Sequence, residues 1–324
     1  MKKIIGVALI LVVVLFALPF VVRQAQDTGQ DPQPTAQEEA ALPDSGHTLR
    51  VKGSDGQVTE MDLNQYLWGV VAAEMPASFE EEALKAQTCA ARTYTAVLQK
   101  SAGSKHPDAD ICADSNCCQA YIERSDAKAR WGLNAQSYSE KIARAVADTD
   151  GLGVTYGGEP IQALFFSSSP GRTVDAAAVW GSQVDYLKSV SSPEGDEVPN
   201  YRSQVVLTAE EVRSRVLAAY PGADLSGDPS GWFGQADRDR GGTVRSIPLG
   251  GVTLTGGQVR SLFALRSAAF TVAWDGSKFA FSVTGYGHGV GMSQYGANAM
   301  AKEGKGFREI LTWYYTGTAV EELW

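Results

Sequence analysis

An uncharged apolar run near the N-terminus, Ile4–Val22, is the feature that most constrains what this 324-residue chain can fold into. A segment of about 20 apolar residues is long enough to cross a bilayer as a helix. Lys2 and Lys3 precede the run, which favours an N-terminus in the cytoplasm, and Arg23 directly follows it. We therefore predict a single-pass anchor in the cell membrane at residues 1–23, with the rest of the chain outside the cytoplasm. A cleaved signal peptide is the alternative, and it also predicts an exported body.

The remaining chain divides by composition into a linker and a folded body. Residues 24–47 are rich in Gln, Pro and acidic side chains and poor in bulky apolar ones, which predicts a flexible linker. The folded body is expected at 48–324. Beyond Arg23 the chain carries 25 basic and 37 acidic side chains, a net charge of −12. Since general nucleic-acid binding needs a basic surface, we expect no nucleic-acid partner.

The hydrophobic pattern of the body predicts an α+β fold. Helical periodicity follows two capping-box patterns, one at Asp62 and Gln65 and one at Ser78 and Glu81. Strand-like stretches occur between these helices and the C-terminus without βαβ regularity, which favours mixed helices and antiparallel strands. The segment at about 195–250 is rich in Gly, Asp, Pro and Ser around one short helix, a composition consistent with an inserted lobe.

Glu74 is the first candidate for chemistry. It lies on the apolar stripe of the helix that follows Asp62, and Met75-Pro76 comes next. A carboxyl that faces an apolar surface loses hydration, so its pKa rises toward the range that a general acid needs near neutral pH. The alternative is that the helix ends here and Glu74 simply reaches water.

Two basic residues of the next helix could accompany Glu74. Lys85 and Arg92 are seven residues apart, which places them two turns apart on one side of that helix. They could hold a carboxylate or a sugar oxygen near Glu74. The alternative is a solvated basic edge of the helix.

One His and three Cys lie close together in a loop segment. His106, Cys112 and Cys118 are spaced by five residues each, with Cys117 as a fourth candidate. Imidazole and thiolate are donors that zinc prefers. In an exported protein a disulfide is the main alternative, and either Cys117 or Cys118 could pair with Cys112 or Cys89.

The stretch 285–296, GYGHGVGMSQYG, is the most unusual of the chain. Glycine allows the backbone to approach a ligand or a neighbouring segment closely, and the helix expected from Ser293 onward would offer free N–H groups to an anionic oxygen. We interpret the stretch, with His288 and Gln294, as one wall of a substrate cleft. The segment from Ser168 to Thr173 is a similar polar turn after a buried strand.

Several segments, in this order, resemble the SpoIID/LytB domain family from about Thr48 to the C-terminus. They are LNQYLWGVVAAEMPASFEEEALKAQTCAARTYT, FSSSPGRTVDAAAVWG, DYLKSVSSPEG and GYGHGVGMSQYGANAMAKEGKGFREILTWYYTG. Agreement of several motifs in order is far more specific than any one of them. The resemblance implies a lytic transglycosylase that cuts peptide-stripped peptidoglycan between N-acetylmuramic acid and N-acetylglucosamine and leaves 1,6-anhydro ends.

The resemblance also implies roles for individual residues. Glu74 matches the catalytic acid of the family, and zinc, more as a structural than a catalytic ion, is implied at His106, Cys112 and Cys118. The residues implied to bind substrate around the cleft are Lys85, Arg92, Ser168, Tyr186, His288 and Gln294. The family's setting is engulfment during sporulation, with a cell-wall amidase of the SpoIIP type and a membrane scaffold as partners. A non-catalytic amidase enhancer that only binds glycan is the alternative function, and a zinc hydrolase is a third.

Overall fold

The computed structural model describes Asp44 and residues 46–101 and 105–324. Within these ranges no helix combines the length and the apolar character needed to cross a membrane. The anchor predicted at 1–23 lies outside the described residues, as does most of the linker predicted at 24–47. Asp44 is fully buried, so the folded body begins by Asp44 and not at residue 48 as the sequence predicted.

The fold is mixed α+β, as predicted, and it contains two hydrophobic cores. We call the two parts the main lobe (Asp44, 46–101, 105–200 and 286–324) and the insertion lobe (201–285). The described helices of the main lobe are α1 (Leu63–Glu74), α2 (Glu81–Lys100), α3 (Arg124–Trp131), α4 (Ala135–Ala147), α5 (Ala176–Trp180), α8 (Gln294–Lys302) and α9 (Phe307–Tyr314). The insertion lobe has α6 (Ala209–Ala219) and α7 (Gly256–Phe263).

Short strands complete the main lobe. They are β1 (Thr48–Lys52), β2 (Val58–Asp62), β3 (Ile111–Cys112), β4 (Leu152–Tyr156), β5 (Glu159–Pro160), β6 (Phe165–Phe166), β13 (Met292–Ser293) and β14 (Ala319–Glu322). Strand β1 pairs antiparallel with β2 and parallel with β3, whereas β4 lies antiparallel between β5 and β14. The parallel pair of β6 and β13 brings the glycine-rich stretch against the segment that follows Ala163.

Helix α2 is the centre of the main lobe. It packs against α1, α4, α8, α9 and β4. This is possible because small residues cover much of its surface, among them the buried Ala83, Ala86 and Ala90. The helix begins after Glu80, which makes no side-chain cap. The capping box predicted from Ser78 and Glu81 is therefore wrong.

Helix α1 ends at Glu74 for a local reason. A residue that precedes proline is forced out of the helical region, and Met75, which precedes Pro76, adopts φ −119° and ψ 144°. At the other end, Asp62 caps the helix by accepting the N–H of Asn64. The sequence thus ends α1 at the residue predicted to carry the chemistry.

The insertion lobe is larger than the sequence predicted. Its sheet places β12 (Lys278–Thr284) between β7 (Arg202–Thr208) and β11 (Phe270–Trp274), all antiparallel. A second sheet holds β8 (Asp237–Arg238), β9 (Val244–Leu249) and β10 (Val252–Thr255). The chain enters and leaves the insertion lobe at neighbouring positions, since the N–H of Gly285 donates to the carbonyl of Tyr201 at 2.8 Å. The predicted end of the lobe at about residue 250 was too early, because β7 pairs with β12, which lies some seventy residues later in the chain.

Candidate active site

A cleft of about 580 Å³ lies where the two lobes meet. The end of α1, the loop before Ala120, the segment around β6 and the glycine-rich stretch supply its walls, and α7 of the insertion lobe contributes one side chain. The lining residues are Ala73, Glu74, Tyr94, Ser115, Cys117, Cys118, Gln119, Ala120, Ala163, Leu164, Phe165, Phe166, Ser167, Trp180, Arg260, Tyr286, Gly287, His288 and Gln294. Among these described residues, Glu74 has the only carboxyl, and Arg260 has the only guanidinium or ammonium group.

Glu74 is held in place by groups on two sides. Its Oε1 accepts the backbone N–H of Ala120 at 2.7 Å. Burial raises the pKa of Glu74, and the hydrogen bond from the N–H of Ala120 opposes that rise without cancelling it. The partial negative charge at the C-terminal end of α1 acts in the same direction as burial. The pKa of Glu74 therefore lies above that of an exposed glutamate, and its carboxyl opens onto the cleft.

Gln294 is positioned by the start of α8. Ser293 caps this helix by accepting the N–H of Gly296, and its hydroxyl donates to Glu194. Glu194 is buried and also accepts the N–H of Ser169 at 2.6 Å. This carboxylate thus ties the Ser169 turn to the start of α8, from which Gln294 enters the cleft and donates from Nε2 to Oε1 of Gln87 at 3.5 Å.

His288 lines the cleft with its ring but uses both nitrogens internally. Its Nε2 lies 3.0 Å from the carbonyl of Phe165, which can only accept, and the N–H of Val290 donates to Nδ1 at 3.2 Å. These partners require a neutral ring with the proton on Nε2. Burial lowers the pKa of His288 to about 4. The residue therefore holds the glycine-rich stretch against β6 and offers substrate only its ring surface.

The backbone conformation of this stretch requires its glycines. The four alternate glycines from Gly285 to Gly291 all have positive φ, a region that glycine enters at little cost. At Gly287 a Cβ would also lie 2.7 Å from the Cβ of Phe166. The backbone therefore approaches β6 more closely than any other residue would permit.

The predicted metal ligands converge, and Cys117 joins them. One donor atom each from His106, Cys112, Cys117 and Cys118 lies within 4.8 Å of the others. The Nε2 of His106 is 3.5 Å from the Sγ atoms of Cys117 and Cys118, and those two Sγ atoms are 3.9 Å apart. The four cysteines are free thiols in the structure. The cluster could hold a metal ion, and it borders the cleft through Cys117 and Cys118.

The donor spacing fits a tetrahedral ion with soft ligands. For Zn–S of about 2.3 Å and Zn–N of about 2.0 Å, tetrahedral geometry places S and S about 3.8 Å apart and S and N about 3.6 Å apart. The observed spacings of 3.9 Å and 3.5 Å agree with these values. Four protein donors would complete such a shell, and Cys117 lies among the three ligands predicted from the sequence.

Lys85 and Arg92 do not lie in the cleft, which corrects the prediction that they grip substrate beside Glu74. Arg92 has no exposed surface, and its guanidinium binds the carboxylate of Asp44 through Nε and Nη2 while Nη1 donates to the carbonyl of Leu152. Lys85 forms ion pairs with Glu81, Glu82 and Asp148. Helical spacing placed both residues on one side of α2 but could not tell that this side faces away from the cleft.

Arg92 is therefore expected to matter for stability. In Arg92→Ala the carboxylate of Asp44 stays buried without its partner, so the free energy of unfolding should fall by about 3–5 kcal/mol. Lys85→Ala is the control from the same helix and should cost less than about 1 kcal/mol, because its ion pairs are partly exposed. Urea unfolding of both variants measures the difference. Similar small losses in the two would show that the Asp44 ion pair does not anchor the start of the body.

Comparisons of the sequence with known proteins identify its family. The model of the family described as SpoIID, stage II sporulation protein, matches residues 52–156. Stage II sporulation protein D of Bacillus subtilis (strain 168) is 35% identical over 97% of this chain and 92% of its own length. The protein of the same name from Bacillus amyloliquefaciens is also 35% identical, over 98% and 93%. The chain belongs to the stage II sporulation protein D family.

A less similar relative of this chain carries a different name. The amidase enhancer of Bacillus subtilis (strain 168) is 27% identical over 78% of this chain and 40% of its own length. Its name describes a protein that assists an amidase.

Two further residues of this SpoIID family member were predicted to bind substrate and do not line the cleft. Ser168 is buried and bonds Tyr286 through both its backbone N–H and its carbonyl, so its part is to fix that tyrosine. The hydroxyl of Tyr186 accepts the N–H of Gln162, and its ring lies 5.5 Å from that of Tyr156. Of the predicted substrate residues, only His288 and Gln294 reach the cleft.

The sequence analysis missed several cleft residues of this SpoIID family member. Trp180 and Tyr286 are 50% and 44% exposed, unusual values for large aromatic side chains. Trp180 lies within the segment FSSSPGRTVDAAAVWG and Tyr286 within the glycine-rich stretch. Both segments were recognised from the sequence, but neither aromatic residue was assigned a role. Arg260 lies in the insertion lobe, in a segment with no recognisable motif, and only the folded structure brings it to the cleft.

Proposed function

We propose that the chain is a peptidoglycan lytic transglycosylase that acts in sporulation, with Glu74 as the one catalytic acid and base. The observation that carries the proposal is the single carboxyl among the described cleft residues, with its pKa raised by burial. Glycosidases that use water place two carboxyl groups around the bond they cut. An intramolecular transfer needs only one, because the nucleophile is a hydroxyl of the substrate itself.

The proposed reaction balances without water. Protonated Glu74 donates its proton to the oxygen between N-acetylmuramic acid and N-acetylglucosamine as the bond to C1 of the muramic residue breaks. The C6 hydroxyl of that residue then bonds to C1, and its proton returns to the Glu74 carboxylate. An internal nucleophile benefits from a high effective concentration. The products are a 1,6-anhydro end and a free N-acetylglucosamine hydroxyl, and Glu74 ends as it began.

The surrounding groups support these steps. The N–H of Ala120 holds Oε1 of Glu74, and Gln294 lines the same cleft from α8. The exposed rings of Trp180 and Tyr286 offer flat apolar surfaces on which sugar rings can pack. Neutral His288 adds no charge to this wall.

We also propose that zinc is the ion of the His106, Cys112, Cys117 and Cys118 cluster. The donor types and the spacings support zinc. A shell filled by four protein donors leaves no position for water, which supports a structural role. Zinc would fix the loop that ends at Ala120, whose N–H holds Glu74.

The proposed setting is the outer face of the cell membrane. The apolar run Ile4–Val22 and its basic flanks support a single-pass anchor with the catalytic body outside the cytoplasm. A cell-wall amidase would provide peptide-stripped glycan, and a membrane scaffold would keep the two enzymes together.

A binding-only amidase enhancer is the second candidate, and the named relative favours it. Full-length protein incubated alone with peptide-free glycan separates the two functions. Release of short soluble fragments is expected from the enzyme. Retention of the intact strand on the protein, without fragments, would support the enhancer and overturn the proposed activity.

A further inference from the structure

Arg260 is a cation without a counterion at the cleft. Its Nε donates to the carbonyl of Arg266 at 3.2 Å, which fixes the guanidinium on the cleft side of α7. No described carboxylate forms an ion pair with it, and the neutral side chains of Tyr286 and His288 line the cleft beside it. Asp239 shares a smaller cavity with Arg260, but its Oδ1 accepts the N–H groups of Gly241 and Thr243.

The aromatic residues of the same wall define a subsite around this cation. Tyr286 lies between the cleft and Arg266, whose guanidinium stacks 4.0 Å from the centre of the tyrosine ring. Trp180 and His288 continue the wall, with ring centres 6.1 Å apart. A ligand that packs a ring on these residues would place its substituents near Arg260. Because guanidinium binds carboxylate in a bidentate way, an anionic substituent fits there best.

We infer that Arg260 binds the free lactyl carboxylate of a muramic residue and so selects glycan from which the stem peptides have been removed. The inference rests on the proposed function and names the lactyl carboxylate as the substrate group that the cleft recognises. In intact peptidoglycan this carboxyl forms the amide to the peptide and carries no charge. Docking of such a strand would cover the Arg260 guanidinium without pairing it, which is costly.

Hydrolysis of the amide between the lactyl group and the peptide leaves one negative charge on each muramic residue, and this is the charge that Arg260 would bind. The acidic body, with a net charge of −12 beyond Arg23, makes one unpaired cation in the cleft more important for an anionic strand.

The test compares binding of three soluble ligands to full-length Glu74→Gln protein, which prevents turnover. The ligands are peptide-free glycan oligomers, the same oligomers with the lactyl carboxyl converted to a methylamide, and chitin oligomers, which lack the lactyl group. With Arg260 intact, the methylamide should bind about 10-fold or more weakly than the carboxylate, since it loses a charged hydrogen-bond partner. Equal affinity for the two would overturn the inference without any change to the protein.

Variants then assign the effect to Arg260. Adding Arg260→Gln should weaken carboxylate binding by about 10-fold or more and leave methylamide and chitin binding nearly unchanged. Arg260→Lys keeps the positive charge but cannot form two parallel hydrogen bonds to a carboxylate, so an intermediate loss of carboxylate affinity is expected. Arg215→Gln, an exposed position on α6 of the same lobe, is the control and should change nothing. Thermal unfolding checks that each variant folds, and equal losses on all three ligands would contradict the assignment.

The outcome is separable from that of the proposed function. If Arg260 governs carboxylate binding but wild-type protein releases no fragments from peptide-free glycan, the inference stands and the transglycosylase proposal fails. If wild-type protein cuts the glycan while Arg260→Gln leaves carboxylate binding unchanged, the proposed function stands and the inference fails.

Discussion

Glu74→Gln should lower the rate of glycan cleavage by at least about 10²-fold while the protein stays folded. A positioned general acid contributes about 10²–10⁴-fold, and here one carboxyl serves as both acid and base. The amide of Gln keeps the shape of the side chain and can no longer donate an acidic proton. Release of fragments from peptide-free glycan, measured at equal protein concentration, checks the rate.

The stability of the same variant provides a second readout. Because burial raises the pKa of Glu74, the folded protein holds this proton more tightly than the unfolded chain does. The resulting stability is fully present below the unfolded pKa and is lost as the pH rises through the folded pKa. At neutral pH the carboxyl therefore opposes folding, and Glu74→Gln should be at least as stable as wild type. Urea unfolding at neutral pH measures this.

A matched control separates the role of Glu74 from loss of any acidic group. Glu159→Gln removes an exposed carboxylate that pairs with Lys100 and does not line the cleft, and it should leave the cleavage rate unchanged. The activity of wild type should also fall as the pH rises through the Glu74 pKa, since the general acid must be protonated. Full activity of Glu74→Gln would remove this residue from the reaction.

Chelation of the zinc ion proposed for the cluster of His106, Cys112, Cys117 and Cys118 should lower the stability of the fold. Structural zinc sites contribute strongly to folding, with apparent binding free energies of about 10–16 kcal/mol in zinc-finger peptides. In a larger body with its own core we expect chelation to lower the thermal midpoint by about 5–10 °C. Elemental analysis should find one zinc ion per chain before chelation. The same treatment should weaken cleavage through the loop that carries Ala120.

Single substitutions assign the site to its four donors. Cys117→Ser should reduce the zinc content and lower the midpoint, because it opens a shell that four donors close. Cys89→Ala is the control, since Cys89 is buried on α2 outside the cluster and should leave the zinc content unchanged. A folded, metal-free protein with a disulfide between Cys112 and Cys118 would contradict the metal site.

The part of the site that could be predicted was local in sequence. Glu74 follows from helical periodicity and from Pro76, both within a few residues of it. The metal cluster follows from donors that lie within thirteen positions of one another, from His106 to Cys118. Short-range rules are enough for such features, because the chain has little freedom to separate these groups.

The parts that were missed depend on contacts between distant segments. Arg92 looked like a cleft residue because its partner, Asp44, lies 48 positions earlier in a segment that resembled a linker. The insertion lobe was cut short because β7 pairs with β12 rather than with a nearby strand. Arg260 reaches the cleft only through that pairing and the packing of α7. Periodicity gives the buried face of a helix but not the neighbour that covers it.

The chemical form of the new glycan end tests the central claim most directly. Full-length protein is incubated with peptide-free glycan in water enriched in oxygen-18, and the fragments are weighed by mass spectrometry before and after borohydride treatment. A transglycosylase that uses Glu74 alone should give 1,6-anhydro ends that are one water lighter than hydrolysis products, carry no label and resist borohydride. Labelled, reducible ends would show that water is the nucleophile and would contradict the account.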